Sequence, residues 1–493
     1  MGSIPTMSIP FDESRGPYVL AMDIGSTASR GGLYDASGRP LKGSKQRVSH
    51  EFSTGEGIST IDPDQVVEEI SEVITGIVEA AEKHKLAISG VALDSFASSL
   101  ILVGADGNAL TPCFTYADAR SAGYVDKLRA EIDEDAYHGR TGVRLHTSYH
   151  PSRLLWLKVE FPQEFEQAKY VMTIGEFVYS KLAGITGMAT SIAAWSGILN
   201  AHTGELDLPI LESVGVDPAL FAEIKDPDQP DIPVKAPFKV LENIPWFHAI
   251  PDGWPSNIGP GAVDAKTVAV AAATSGAMRV VLPEVPEKIP SGLWCYRVSR
   301  NLCIVGGALN DVGRAVTWLE RTVIKPENLD EVLLREPFEG TPEVLPFFSG
   351  ERSIGWASAA RASISNIQEQ TGPEHMWRGV FEALALSYQR VWEHMGLAGA
   401  APERVIASGR VATDHPEFLA MLADALDTPV IPLEMKRATL RGTALIVLEQ
   451  LEPGGERATP PFGAALEPRF AQHYVQARKL FDANYQLLVT PSE

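Results

Sequence analysis

One device occurs twice in this chain and limits the fold more than any other feature. Tyr18-Val-Leu-Ala-Met22 is an apolar run that stops at Asp23-Ile-Gly-Ser-Thr27, and Ser29-Arg-Gly-Gly-Leu-Tyr34 follows before the polar turn Asp35-Ala-Ser-Gly38. Far downstream, Thr267-Val-Ala-Val-Ala-Ala-Ala273 stops at Thr274-Ser-Gly276, and Ala277-Met-Arg-Val-Val-Leu282 follows. Each reads as strand, tight small-residue turn, strand. Two copies separated by 251 positions, from Asp23 to Thr274, suggest two related halves.

The rest of the chain agrees with an α/β class. Val66, Val67, Ile70, Val73, Ile74, Ile77 and Val78 recur at helical spacing over 65–84. Val91 to Val103 reads as strand and ends in the turn Ala105-Asp-Gly-Asn108. Further helices are expected near 309–323, 375–396 and 415–426, and loop over 450–466. The stretch 200–262 is rich in Pro, Asp and Gly, which suits a domain hinge. A length of 493 residues calls for about two large domains.

Composition removes several function classes. Acidic residues number 63 against 42 basic, a net charge of −21, so no nucleic acid and no anionic membrane is expected as partner. No uncharged apolar run reaches spanning length. Met1 to Arg15 is polar and has no signal-peptide stretch. Cys113, Cys295 and Cys303 are too few and too scattered for a disulfide framework or a zinc site. The expected compartment is cytoplasmic. Gly-x-Ser-x-Gly, Gly-x-x-x-x-Gly-Lys and Gly-x-Gly-x-x-Gly in the required contexts are all missing, which argues against a serine hydrolase, a P-loop NTPase and a Rossmann dehydrogenase.

The two turns suit an anion. Small side chains let backbone N–H groups approach a phosphate, and hydroxyls add donors. Asp23 at the strand end can hold Mg²⁺ through carboxylate oxygen. A plain strand-end turn is the simpler reading of Asp23 alone; the matching turn at Thr274 lowers its weight.

Taken in order, Asp23-Ile-Gly-Ser-Thr27, Tyr116-Ala-Asp-Ala-Arg-Ser121, Arg140-Thr-Gly142 with His146, Asp252-Gly253 through Asn257-Ile-Gly259, Thr274-Ser-Gly-Ala-Met-Arg279 and Gly350-Glu-Arg-Ser353 with Trp356 resemble the FGGY carbohydrate kinases. Within that family they are most similar to gluconate kinases. The resemblance covers about residues 18–450. It implies an α/β fold of two actin-like (ribonuclease H-like) domains, each with a mixed five-stranded sheet, around a central cleft. The domains would be 17–262 on the sugar side and 263–450 on the nucleotide side, with 451–493 as a C-terminal extension.

The resemblance also implies roles. Asp23 would hold Mg²⁺. Gly25, Ser26 and Thr27 would form one phosphate loop, and Thr274, Ser275 and Gly276 the other. Gly306, Gly307, Gly409 and Arg410 would lie on the adenosine side of ATP, with the segment from Glu434 to Gly442. Ser98, Asp118, Arg120, His146 and Tyr149 would face the sugar. Asp252 would be the general base and contact the substrate. Asp264 competes for that role, but it lies 10 positions before Thr274, whereas Asp252 lies 22 before, the family's spacing. The reaction implied is phosphorylation of a sugar or sugar acid by ATP, with gluconate going to 6-phosphogluconate. The alternatives are a pentulose such as xylulose, a polyol, or a catalytically weak kinase-like sugar-binding protein. Relatives assemble as dimers or tetramers, so a homodimer falls within what the resemblance implies.

The chain departs from the family at specific points. Ala97-Ser98 stands where gluconate kinases carry Met-His. Tyr116 replaces an aromatic that is usually Trp, Ala273 a glycine, Arg410 the second of two glycines, and Arg153 a lysine. Arg410 would meet the nucleotide either as a clash or as a new contact. His146 and His150 read equally as sugar contacts or solvent-exposed loop residues. Glu351 and Arg352 read at least as well as a structural ion pair, Trp195 and Trp318 as core, and 132–135 as a solvated helix start.

Overall fold

A computed structural model describes residues 7–435 and 437–489. The chain forms two units. The first holds the chain up to Pro260 together with Cys295–Cys303 and Met435–Pro460; the second holds Gly261–Trp294, Ile304–Glu434 and the chain from Pro461 onward.

The strands that matter are β1 (Tyr18–Ile24), β2 (Ala28–Tyr34), β3 (Gln46–Ser49), β4 (Ile88–Ser95), β5 (Ile250–Pro251), β6 (Thr267–Ala272), β7 (Gly276–Leu282), β8 (Trp294–Ser299), β9 (Leu302–Leu309), β10 (Arg404–Ser408) and β11 (Val430–Pro432). The helices are α1 (Pro63–Lys83), α2 (His150–Glu160), α3 (Ile174–Ala183), α4 (Gly313–Thr322), α5 (Pro373–Leu397), α6 (Glu417–Leu426), α7 (Ala438–Leu451) and α8 (Ala471–Leu488).

In the first unit the sheet order is β5-β4-β1-β2-β3. β1 is parallel to β4, β4 to β5, and β1–β2–β3 run antiparallel. Side chains alternate across such a sheet. Leu20, Met22 and Ile24 of β1 join a core with Val66, Ile70, Val73, Ile74 and Ile77 of α1. Val19 and Ala21 join the opposite core with Leu440, Ala444 and Leu448 of α7. Helix α1 starts because the Asp62 carboxylate caps the Asp64 N–H and Pro63 sits in the first turn. Each fully buried aliphatic of its inner face contributes about 1.5–3 kcal/mol of transfer free energy. Gly31 of β2 allows the close approach, since a Cβ there would lie 2.6 Å from Val73.

The second unit repeats this plan. β6 and β7 form an antiparallel hairpin, and β10 and β11 add in parallel beside β6. Within this unit the order is β9-β7-β6-β10-β11. Helix α5 buries Trp377, Phe381, Leu384, Tyr388 and Val391 at 3–4-residue spacing. Helix α8 adds Tyr474, Phe481 and Tyr485. Glu351 pairs with Arg390 of α5 at 2.6 Å and accepts from Tyr485 of α8, so it braces this unit. Among the described residues no helix is long and apolar enough to cross a membrane.

Candidate active site

Three adjacent parallel strands, β1, β4 and β5, deliver three carboxylates at their C-terminal ends. Asp23 is directly opposite Asp94 in the β1–β4 register, and Ile250 opposite Asp94 in β4–β5. Asp252 follows β5, its N–H bonded to the Ser95 carbonyl at 2.9 Å. Ligands of open α/β sheets gather at such strand ends. Alternation sets the direction of the first two: Asp23 shares the parity of Val19 and Ala21, and Asp94 that of Ala92, so both face α7. There the Thr443 hydroxyl of α7 donates to Asp94 Oδ2.

The electrostatics follow from burial. Desolvation pushes the Asp23 carboxyl up, opposed by Arg30, whose Nη1 stands 3.4 Å from Asp23 Oδ2. Asp94 is completely buried, and burial, then the Asp23 charge, then Asp252, push it well above the usual carboxylate range. Its Oδ1 has no hydrogen-bond donor. Sequence reasoning missed both Asp94 and Thr443. The available signal was the shared form of Ala21-Met-Asp23 and Ala92-Leu-Asp94, apolar strands each ending in a single acid.

The turn after β1 is tight and open to solvent. The Gly25 N–H bonds the Ala28 carbonyl at 3.0 Å, and Ser26 and Thr27 are exposed. Behind it His50 bridges the Gly25 carbonyl at 2.9 Å and Glu69 at 2.8 Å, and Ser29 donates to the same Glu69 oxygen. The backbone donors of this turn are thus held in place before any anion arrives.

The residues expected on the sugar side form one connected group in the first unit. Arg153 of α2 is buried and donates to the carbonyls of Thr147, Ser98, Thr115 and Asp118, pinning three loops at once. Ser98 has φ 57° and its hydroxyl donates to the Trp195 carbonyl at 2.7 Å. Asp118 and Arg120 bind each other, with Nη2 2.7 Å from Oδ2, while Asp118 also accepts the Ser59 N–H. The Arg120 guanidinium lies over the Trp156 and Phe114 rings. Their joint effect is to shape the loop that carries Tyr116, which is largely exposed and feels the Asp252 charge. His146 is half-buried and bonded to Ser148, and Tyr149 is buried with its hydroxyl 2.6 Å from that of Tyr296. His150 is buried and bonds the Ser99 carbonyl, so the solvent-exposed loop reading does not hold for it. Trp195 is buried and stacks on Tyr296 at 3.8 Å. Asp264, the rival base, is exposed and caps the Lys266 N–H.

The second unit carries its own turn. Ala273 N–H bonds the Ser275 carbonyl at 3.0 Å, and the carbonyls of Ala273 and Thr274 receive the first N–H groups of α4. Thr274 and Ser275 are exposed, whereas Gly276 is buried beneath Tyr388, whose hydroxyl donates to the Ala271 carbonyl. Gly409, with φ 109°, closes the end of β10 against Ala272, beside that turn. Gly306 and Gly307 lie inside β9, packed against the Met278 carbonyl and Ser353. Arg410 points to solvent and pairs with Asp414 at 2.9 Å.

The donor set suits a hard cation. Asp23 and the orphaned Asp94 oxygen offer only carboxylate, and Mg²⁺ characteristically takes one or two carboxylates plus phosphate oxygens and water. Among the described residues no three His, Cys, Asp or Glu side chains converge on one point.

Comparison with known proteins bears on the whole chain. The model of the FGGY carbohydrate kinase N-terminal domain matches residues 18–231, and that of the C-terminal domain matches 272–448. The gluconokinase of Bacillus subtilis is 24% identical over 456 residues, covering 87% of each chain. The crystal structure of gluconate kinase from Lactobacillus acidophilus superposes with a TM-score of 0.86 at 24% identity, over 96% of this chain and 98% of that one. Xylulose kinase from Rhodospirillum rubrum superposes with a TM-score of 0.88 at 20% identity, over 96% and 99%. Both halves match the family's models, both sheets have its mixed, actin-like plan, and the exposed turns recur in each unit: the chain belongs to the FGGY family of carbohydrate kinases and is a sugar kinase.

Proposed function

We propose that this kinase transfers the γ-phosphoryl group of ATP to a hydroxyl of gluconate, giving 6-phosphogluconate and ADP, with Asp252 as general base. The observation that carries this reading is the row of strand ends that sets Asp252 beside Asp94 and Asp23 in one sheet. Asp252 takes the proton of the attacking hydroxyl as its oxygen meets phosphorus. Ser26 and Thr27, with the N–H groups of their turn, donate to phosphate oxygens, and the turn of Thr274 and Ser275 is the phosphate loop of its own unit. Asp23 holds Mg²⁺, which when bound neutralises phosphate charge. Tyr116 and His146 line the sugar side, where His146 offers a donor to the gluconate carboxylate. The similarity to the Bacillus and Lactobacillus gluconate kinases supports the choice of acceptor. Three buried cysteines, none in a disulfide, suit a reducing cytoplasm.

One observation favours xylulose as a second reading. The Arg120 guanidinium is committed to Asp118 rather than open to a substrate carboxylate, which suits a neutral pentulose. An ADP-release assay with Mg-ATP against gluconate, xylulose, ribulose, glycerol and erythritol decides between them. Turnover on gluconate alone is expected, and turnover on xylulose alone replaces the acceptor. Asp252→Asn should remove turnover on either while sugar binding persists; near-normal activity in that variant would refute the base assignment.

A further inference from the structure

Glu69 is the one charged side chain on the buried face of α1, which is otherwise apolar. A carboxylate out of water is costly unless its bonds are filled. Here they are. Oε2 accepts from the Ser29 hydroxyl at 2.7 Å and bonds His50 Nδ1 at 2.8 Å, and Oε1 accepts from the Gln65 amide at 2.9 Å. The His50 imidazole has no exposed surface. Its Nε2 lies 2.9 Å from the Gly25 carbonyl and donates to it, since a carbonyl can only accept. The backbone N–H of His50 donates to the Thr27 carbonyl at 3.2 Å. One residue therefore holds the carbonyls on both sides of Ser26.

The direction of the Ser26 N–H follows. The Gly25–Ser26 peptide is trans, so its carbonyl and its N–H point to opposite sides. With the carbonyl turned inward onto His50, the N–H is turned outward, where Ser26 and Thr27 are exposed. Among the described residues no backbone carbonyl receives that N–H. Glycine resists rotation of this peptide less than any other residue, and a flipped peptide would set an oxygen against an incoming anion.

We propose that His50, braced by Glu69, is a positioning residue for ATP: it turns the Gly25 carbonyl inward and so aims the Ser26 N–H at a phosphate oxygen. The inference rests on the reading of Gly25, Ser26 and Thr27 as a phosphate loop. It assigns a task to a His–Glu pair that the phosphoryl-transfer scheme leaves unused.

Two substitutions separate the two ends of the imidazole. Gln places its amide nitrogen near the position of Nε2, and Asn near that of Nδ1. His50→Gln therefore keeps the donor toward Gly25, while His50→Asn keeps only the bond to Glu69. Calorimetric binding of Mg-ATP and of adenosine is compared in both variants and in wild type. His50→Asn should weaken ATP about 10-fold or more and leave adenosine within about twofold; His50→Gln should hold ATP within about threefold. Unchanged ATP affinity in His50→Asn, equal loss in both variants, or parallel loss of ATP and adenosine would each overturn the proposal. Should His50→Asn not fold, wild type labelled with ¹⁵N-serine decides. The Ser26 amide resonance, identified by its loss in Ser26→Ala, should move on adding ATP and not on adding adenosine, and an unmoved resonance would overturn the proposal. The double variant Ser26→Ala, Thr27→Ala tests the underlying reading. If it binds ATP like wild type, the phosphate-loop reading fails. If it loses ATP while His50→Asn does not, that reading stands and the role of His50 falls alone.

Discussion

Gly253 lies so close to Trp195 that a methyl group on it would stand 2.8 Å from indole Cζ2. The indole is itself held by stacking on Tyr296 at 3.8 Å. Gly253→Ala should therefore shift the backbone that carries Asp252. A loss of about 1–3 kcal/mol of stability is expected from overpacking, and kcat should fall about 10–100-fold, since small misplacements of a reacting group are costly. Denaturant unfolding and steady-state kinetics on the same preparation check both. Normal kcat with lowered stability would show that Asp252 does not follow its neighbour.

Arg153 serves four carbonyls with one planar guanidinium. Burial pulls its pKa down to about 10, still far above neutrality, so it stays charged. A lysine offers a point charge and cannot span the same acceptors. Arg153→Lys should cost about 3 kcal/mol, because buried carbonyls lose their donors. It should also raise the KM for sugar, since the loops of Ser98 and Thr115 lose their common anchor. Thermal unfolding with a sugar titration reads both effects.

His150 provides a pH signature. Burial, aided by the Arg153 charge, pushes its pKa down to about 3 from an ordinary 6.5. The folded state thus keeps the imidazole neutral where the unfolded chain binds a proton. Stability from this site is complete above pH 6.5 and is lost as pH falls toward 3, by about 2 kcal/mol at pH 5. Equilibrium unfolding from pH 7.5 to 5 should show the slope, and His150→Gln should flatten it. A variant with the wild-type slope would place the acid sensitivity elsewhere.

Arg410, expected on the adenosine side, has a side chain that is 85% exposed and paired with Asp414. Arg410→Ala should leave the KM for ATP within about twofold and stability nearly unchanged, as for other exposed ion pairs. A large change in the KM for ATP would mean that the arginine turns onto the nucleotide.

What could be read from the sequence is what neighbours along the chain decide. The β1–β2 and β6–β7 hairpins were legible because apolar runs and small-residue turns lie side by side in sequence. Helix α1 was legible from Val66 to Val78 because one face repeats at 3.6 residues. Asp94 was not, since a lone acid in an apolar strand acquires meaning only from its register partner Asp23 and from Thr443 on a distant helix. Asp118 and Arg120 were visible as charges, but not as each other's partner. Helix α8 escaped notice because Tyr474, Phe481 and Tyr485 alone bury a face that is otherwise polar. The outer strand β8 escaped because its hairpin has no turn signal stronger than Arg300-Asn301.

The first unit is assembled from three separated stretches of chain, and α7, from the last of them, covers Val19, Ala21, Tyr34, Ala92 and Phe247. A ribosome makes Val19, Ala21, Tyr34 and Ala92 early and the helix that shelters them about 350–430 residues later, many seconds apart at ordinary synthesis rates. Throughout that interval one face of the nascent sheet, with Asp23 and Asp94 upon it, stays uncovered. Biosynthesis of this kinase therefore includes an obligatory waiting period before the chain's own helix can cover the sheet.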